Sequence, residues 1–85
     1  MELKEQFEQA AADSKNLSAK PSNETLLQLY SLYKQGSIGD VNAEPPSNPF
    51  DFVAKAKYEA WSAIKGKSST AAMTEYIELI QKLKS

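Results

Sequence analysis

The chain has no cysteine and no histidine, and all ten of its basic residues are lysines. Without thiols there are no disulfides and no thiolate metal sites, so stability must come from packing. Without histidine the commonest general base and metal ligand is missing. Without arginine there is no bidentate fork for phosphate or carboxylate, and a bound anion must be met by ammonium groups. A net charge of −1 argues against a general nucleic-acid binder, which would be basic on one face and overall. No run approaches the ~18 apolar residues of a membrane span. The opening MELKEQFEQAA lacks the charged-then-apolar profile of a signal peptide. The expected compartment is the cytoplasm, with no stable membrane insertion. Glycine is scarce too, with three residues, and neither GxGxxG nor GxxxxGK[ST] occurs. Gly36 and Gly39 therefore read as backbone turns.

What remains is 85 residues, 41% hydrophobic and 25% charged, the composition of one small globular domain spanning 1–85. Such a domain buries about 60–65% of the surface that its unfolded chain exposes. Four helical periods are visible. Helix one is expected over Leu3 to Leu17, with Leu3, Phe7, Ala10, Ala11, Ser14 and Leu17 on one face and Glu5, Glu8 and Asp13 elsewhere. Lys15 lies at the edge of that stripe beside Ala11. Pro21 disfavours helix at Lys20, and Ser22 or Asn23 can cap helix two, which runs to about Gln35 or Ser37. QGSIGDVNAEPPSNPF follows, with two glycines and three prolines. A connection this long is usually functional or disordered. Ile38 and Val41 offer apolar anchors, so it reads as an ordered overhang that lets helices two and three run parallel. Asp51 caps helix three, Phe52 to Lys65, and Gly66 follows as its C′ residue. Its apolar arc holds Ala60, Val53, Ile64, Lys57, Trp61, Ala54 and Tyr58. Ser68 or Ser69 caps helix four, with Met73, Tyr76, Ile77, Ile80 and Leu83 as its stripe. The expected fold is all-α, a four-helix bundle with a long overhand loop between helices two and three.

Helix two carries the anomaly. At about 100° per residue, Leu27, Lys34, Tyr30, Leu26, Tyr33 and Leu29 fall in that order along one arc, opposite Gln28, Ser31 and Gln35. Lys34 thus sits inside an aromatic stripe. Lys57 repeats the pattern between Trp61 and Ile64. Taken singly, the tyrosines read as core or half-buried aromatics and the lysines as snorkelling stems. Taken together, two ammonium groups among aromatics suit a ligand both anionic and oily. A phenol stacks on a flat heterocycle, and lysines neutralise phosphate. Spacing alone leaves both readings standing. Catalysis has little to stand on, since only carboxylate pairs or a lysine nucleophile are available and the acids lie on solvated faces and at caps. No catalytic residue, cofactor or metal site is expected.

The chain resembles the acyl-CoA-binding protein family over essentially its whole length. YSLYKQGSIGD at Tyr30 to Asp40, KAKYEAW at Lys55 to Trp61 and KGKSSTAAMTEYI at Lys65 to Ile77 carry the resemblance, with FEQAA and the proline of AKPSN. It implies a non-enzymatic, monomeric carrier and pool former that binds medium- and long-chain fatty acyl-CoA one-to-one. By position, it implies that Tyr33 stacks on adenine and that Tyr30, Lys34 and Lys57 hold the ribose 3′-phosphate. Lys15 and Tyr76 match further ligand-contacting positions, with Lys20 a weaker match. The acyl groove would involve Ala11, Leu26, Leu27 and Ala56. The chain departs from the family pattern at Val53, where a basic residue near the phosphates is usual, at Ala54 for glycine, at Tyr58 for tryptophan and at Pro45 for arginine. NPF at Asn48 to Phe50 lengthens the loop by one residue, and Ser14 interrupts the stripe that packs on helix four. These departures bear on chain-length preference and affinity rather than on ligand class. The alternatives are a helical protein-interaction module docking on the Tyr30–Trp61 face and a phospholipid-binding module.

Overall fold

The computed structural model describes residues 2–42 and 44–84, and among these it shows four α-helices and no strand. They are α1 (Leu3–Asp13), α2 (Asn23–Ser37), α3 (Phe52–Ala63) and α4 (Ser69–Lys84). The caps fall where the sequence places them. Ser22 Oγ accepts from Thr25 N, Asp51 Oδ1 from Ala54 N, and Ser68 Oγ from Ala71 N. Gly66, at φ 95°, occupies the left-handed region that follows the end of α3.

Helix one is shorter than expected. After Asp13 the chain tightens into a 3₁₀ turn, Ser14–Asn16, and Leu17 is extended. Ser14 Oγ donates to Ala11 O at 2.6 Å, a local bond that competes with continued α-helix.

Packing order gives the topology. Asn23, Leu26 and Leu27 share a groove with Phe52, Val53 and Ala56; Tyr30 meets Lys57; and Gln35 meets Trp61. Both numberings rise together, so α2 and α3 run parallel and the long connection has carried the chain back along the bundle. Phe7 meets Tyr76 and Asp13 meets Lys84, so α1 and α4 are also parallel. The core unites α1, α2 and α4 through Phe7, Ala10, Leu29, Leu32, Ala72, Tyr76 and Ile80. Close approach of these helices depends on Gly36, where a Cβ would lie 3.1 Å from both Met73 Cγ and Phe7 Cζ.

Three further sequence expectations are overturned. Ser31 and Gln35, on the polar side of the α2 wheel, are buried, Gln35 to 1% exposure. Because α2 packs against α3 and α4 and meets Phe7 of α1, Ser31 and Gln35 turn inward, while Gln28 stays exposed and the aromatic arc faces an open cavity. Gln35 satisfies itself there. Nε2 donates to Asp40 Oδ1 and Lys67 O, both at 2.8 Å, and Oε1 accepts from Trp61 Nε1 at 3.1 Å. This bond set anchors the overhang, with Trp61 Nε1 also donating to Gly39 O and Gly66 N donating to Asp40 Oδ1. Ile38, expected as an apolar anchor, is 52% exposed. The third correction concerns the α3 arc, of which only Trp61 is buried; Val53 is 66% exposed.

Candidate functional site

A cavity of about 730 Å³ opens between the end of α1, the linker at Pro21, and helices α2 to α4. Its floor is aromatic. Phe7 stacks on Tyr33 with ring centroids 5.3 Å apart and planes 24° apart, and Tyr76 meets Phe7 edge-on at 5.2 Å. Tyr33 remains 42% exposed, so the ring is braced from behind yet open to a planar guest. Tyr76 is buried, and that burial raises its phenol pKa above the ordinary value despite a hydrogen bond with Ser14; the neighbouring Tyr33 adds to the rise. A neutral phenol there is a hydrogen-bonding group at neutral pH, not a charge.

Tyr30 is the point where the two lysines converge. Lys57 Nζ lies 5.3 Å from the Tyr30 ring centroid and Lys34 Nζ 5.8 Å, with Lys34 also 5.9 Å from the Trp61 ring. These are cation–π distances. Neither lysine is ion-paired among the described residues. Two like charges drawn to one ring repel each other, and an anion placed between them would relieve that repulsion.

A second, more apolar groove of about 350 Å³ runs between the N-terminal halves of α2 and α3, lined by Asn23, Leu26, Leu27, Phe52, Val53, Ala56 and Lys57. Leu26 and Lys57 line both hollows and mark where they meet. The Lys57 stem can therefore face the apolar groove while its ammonium sits on Tyr30.

Of the residues singled out from sequence, Lys15, Tyr30, Tyr33, Lys57, Tyr76, Ala11 and Leu26 line the first cavity. Leu27 and Ala56 line the second groove. Lys34 reaches the site through the Tyr30 ring. Lys20 is exposed and lines neither hollow, although its neighbour Pro21 lines the first. Sequence reasoning placed Ser14 and Glu8 outside any site, yet both line the cavity. The signal for Glu8 was a second stripe on helix one, Glu8, Ala11, Ala12 and Lys15, at helical spacing. Phe7 was assigned to the core, but its brace behind Tyr33 has no signature in spacing. Phe52 and Val53, read as helix start and helix arc, form groove wall instead. Among the described residues no cluster of three or more acidic, histidine or cysteine side chains could hold a metal ion.

Known proteins are similar to nearly the whole chain. The family model described as "Acyl CoA binding protein" matches residues 4–80. The acyl-CoA-binding protein of Brassica napus is 47% identical over 83 residues, covering 98% of this chain and 89% of that protein. The Drosophila melanogaster acyl-CoA-binding protein homolog is 47% identical over 81 residues, covering 95% and 93%. The crystal structure of Oryza sativa acyl-CoA-binding protein 2 superposes with a TM-score of 0.90 at 40% identity, covering 96% of this chain and 90% of the other. That of the Moniliophthora perniciosa protein gives 0.88 at 32% identity, covering 98% and 80%. Sequence and fold agree, and the chain belongs to the acyl-CoA-binding protein family.

Proposed function

We propose that this chain binds medium- and long-chain fatty acyl-CoA thioesters and serves as their carrier and pool former in the cytoplasm, as a monomeric single domain over 1–85. The observation that carries the reading is the convergence of Lys34 and Lys57 on Tyr30 at the junction of an aromatic cavity and an apolar groove. One ligand class combines a planar base, phosphates and an alkyl chain, and each part has a matching surface here.

Tyr33, backed by Phe7, stacks on the adenine. Tyr30, Lys34 and Lys57 receive the ribose 3′-phosphate, each charge-assisted contact contributing about 1.5–3 kcal/mol. Lys15 and Tyr76 contact the ligand from the α1 and α4 sides of the cavity, and Lys20 is a peripheral candidate at the rim. The alkyl chain passes Ala11 and Leu26 into the groove of Leu27 and Ala56, at about 0.8 kcal/mol per buried CH₂. The site shelters a thioester and does no chemistry on it, so the ligand leaves unchanged.

Calorimetric titration with palmitoyl-CoA tests the reading. Saturable one-to-one heat is expected, with Lys34→Ala and Lys57→Ala each weakening binding about 10- to 100-fold while changing thermal stability little. Affinities equal to wild type would remove the phosphate clamp. Competition by free CoA separates a nucleotide site from a phospholipid site, and thioester loss on prolonged incubation would contradict the carrier role.

A further inference from the structure

We infer that the turn from Asn48 to Asp51 is a docking point for a partner protein whose surface carries a basic-rimmed apolar pocket the size of one phenyl ring. Phe50 is the plug. It is 80% exposed, stands outside the buried cluster and lines neither the cavity nor the groove. A singly exposed apolar residue is ordinary. What sets Phe50 apart is the turn that holds it out. Asp51 N–H donates to Asn48 O at 3.1 Å and closes the turn, and Phe50 N–H donates to Asn48 Oδ1 at 2.9 Å. Asparagine at the first position and proline at the second suit such a turn, and Pro49 fixes its own φ. Asp51, the fourth residue, also caps α3 by accepting from Ala54 N–H. The ring is thus mounted on a helix end, and little backbone freedom remains to be lost when a partner takes it.

Charge and shape select the occupant. Residues 38–51 carry Asp40, Glu44 and Asp51 and no lysine. These carboxylates repel an anionic lipid surface and attract basic groups around a partner's pocket. One projecting ring suits a concave pocket, where aromatic anchors are fully desolvated, better than a flat surface that leaves its faces wet. A second copy of this chain offers an apolar groove between α2 and α3, but the one lysine that lines it, Lys57, has its ammonium on the Tyr30 ring. The turn stands where the connection is one residue longer than the family pattern, and the acyl-CoA reading gives it no task. None of its four residues lines the cavity or the groove, so a docked partner leaves both open.

The probe is a purified EH domain with a basic rim, a helical module whose apolar pocket takes one Asn-Pro-Phe turn. It is titrated into the isotope-labelled full chain up to about 1 mM, the range in which a single anchor shows itself by NMR. Saturable amide shifts centred on Ser47 to Phe52 are expected. Phe50→Ala should weaken binding about tenfold or more. Asn48→Ala keeps the ring but loses the bond from Phe50 N–H, and should cost about two- to tenfold. Both side chains stand outside the core, so both variants should fold, which circular dichroism checks, and both should bind palmitoyl-CoA as wild type does. No shifts at the highest concentration would overturn the inference. Shifts undiminished in Phe50→Ala would place the contact elsewhere and overturn it too. Phe50-dependent binding to phosphatidylserine vesicles, or a Phe50-dependent dimer in sedimentation, would give the ring a different occupant. Loss of palmitoyl-CoA affinity in Phe50→Ala would make the ring part of the ligand site and end the docking proposal.

Discussion

Replacing Gln35 with alanine should cost far more than a glutamine usually does. The side chain is 1% exposed and is hydrogen-bonded to three separate parts of the chain: the overhang at Asp40, the α3–α4 turn at Lys67, and α3 itself at Trp61. The bonds to Lys67 O and Trp61 Nε1 contribute about 1 kcal/mol each, leaving aside the contact with the exposed Asp40 carboxylate. The cavity left by truncation adds about 1 kcal/mol. Trp61 Nε1 keeps its bond to Gly39 O, which limits the loss on that side. The expected destabilisation is about 3 kcal/mol, which for a domain of this size lowers Tm by roughly 12–24 °C. Far-UV circular dichroism melts measure it without relying on the perturbed indole. Gln35→Glu keeps the shape but removes both N–H donors and sets a second carboxylate against Asp40. It should be at least as damaging at pH 7. If Gln35→Ala moved Tm by less than about 5 °C, the overhang and α3 would be held by something other than this side chain.

Gly36→Ala should also destabilise. The 3.1 Å contacts with Met73 and Phe7 call for overpacking adjustments of about 1–3 kcal/mol, against up to about 1 kcal/mol of gained helix propensity; a thermal melt reads the balance. Hydrogen bonds from the Gly66 N–H and then Gln35 hold the Asp40 pKa below the ordinary carboxylate value. A depressed folded-state pKa gives stability that is present above the unfolded value and lost as pH falls through the folded one. Urea midpoints should therefore drop below about pH 4, and Asp40→Asn should flatten part of that slope. Tyr33→Ala should weaken the nucleotide portion of the ligand, seen as reduced competition by free CoA. Raising ionic strength from about 0.05 to 0.5 M should weaken binding, since lysine ammonium groups supply the attraction.

Helix number, three of the caps and the parallel pair were readable because each rests on local chemistry. Ser22, Asp51 and Ser68 stand ahead of apolar periods, and a connection rich in proline has the reach to return along the bundle. The wheel failed at Gln35 because it equates polar with outward. That holds for a helix with one buried face, whereas α2 is packed on several sides and reserves its greasiest arc for the cavity. Gln35 is inward because it has partners at residues 40, 61 and 67, and partners that distant leave no trace in periodicity. Lys34 and Lys57 were legible for the converse reason: a charge inside an aromatic stripe is a local contradiction. Ser14 and Leu17 show the limit at helix ends, where one hydroxyl–carbonyl bond outweighs an apolar period.

The returning connection has slack. Residues 38–51 number 14 between the end of α2 and the start of α3. Retracing the 15 residues of α2 means covering about 22 Å, which about seven extended residues could reach. Half of the tether is thus free of any geometric duty. Among the described residues between Asp40 and Asp51 none hydrogen-bonds to a helix, so this part of the connection can lengthen, shorten or change composition while the groove between α2 and α3 keeps its width.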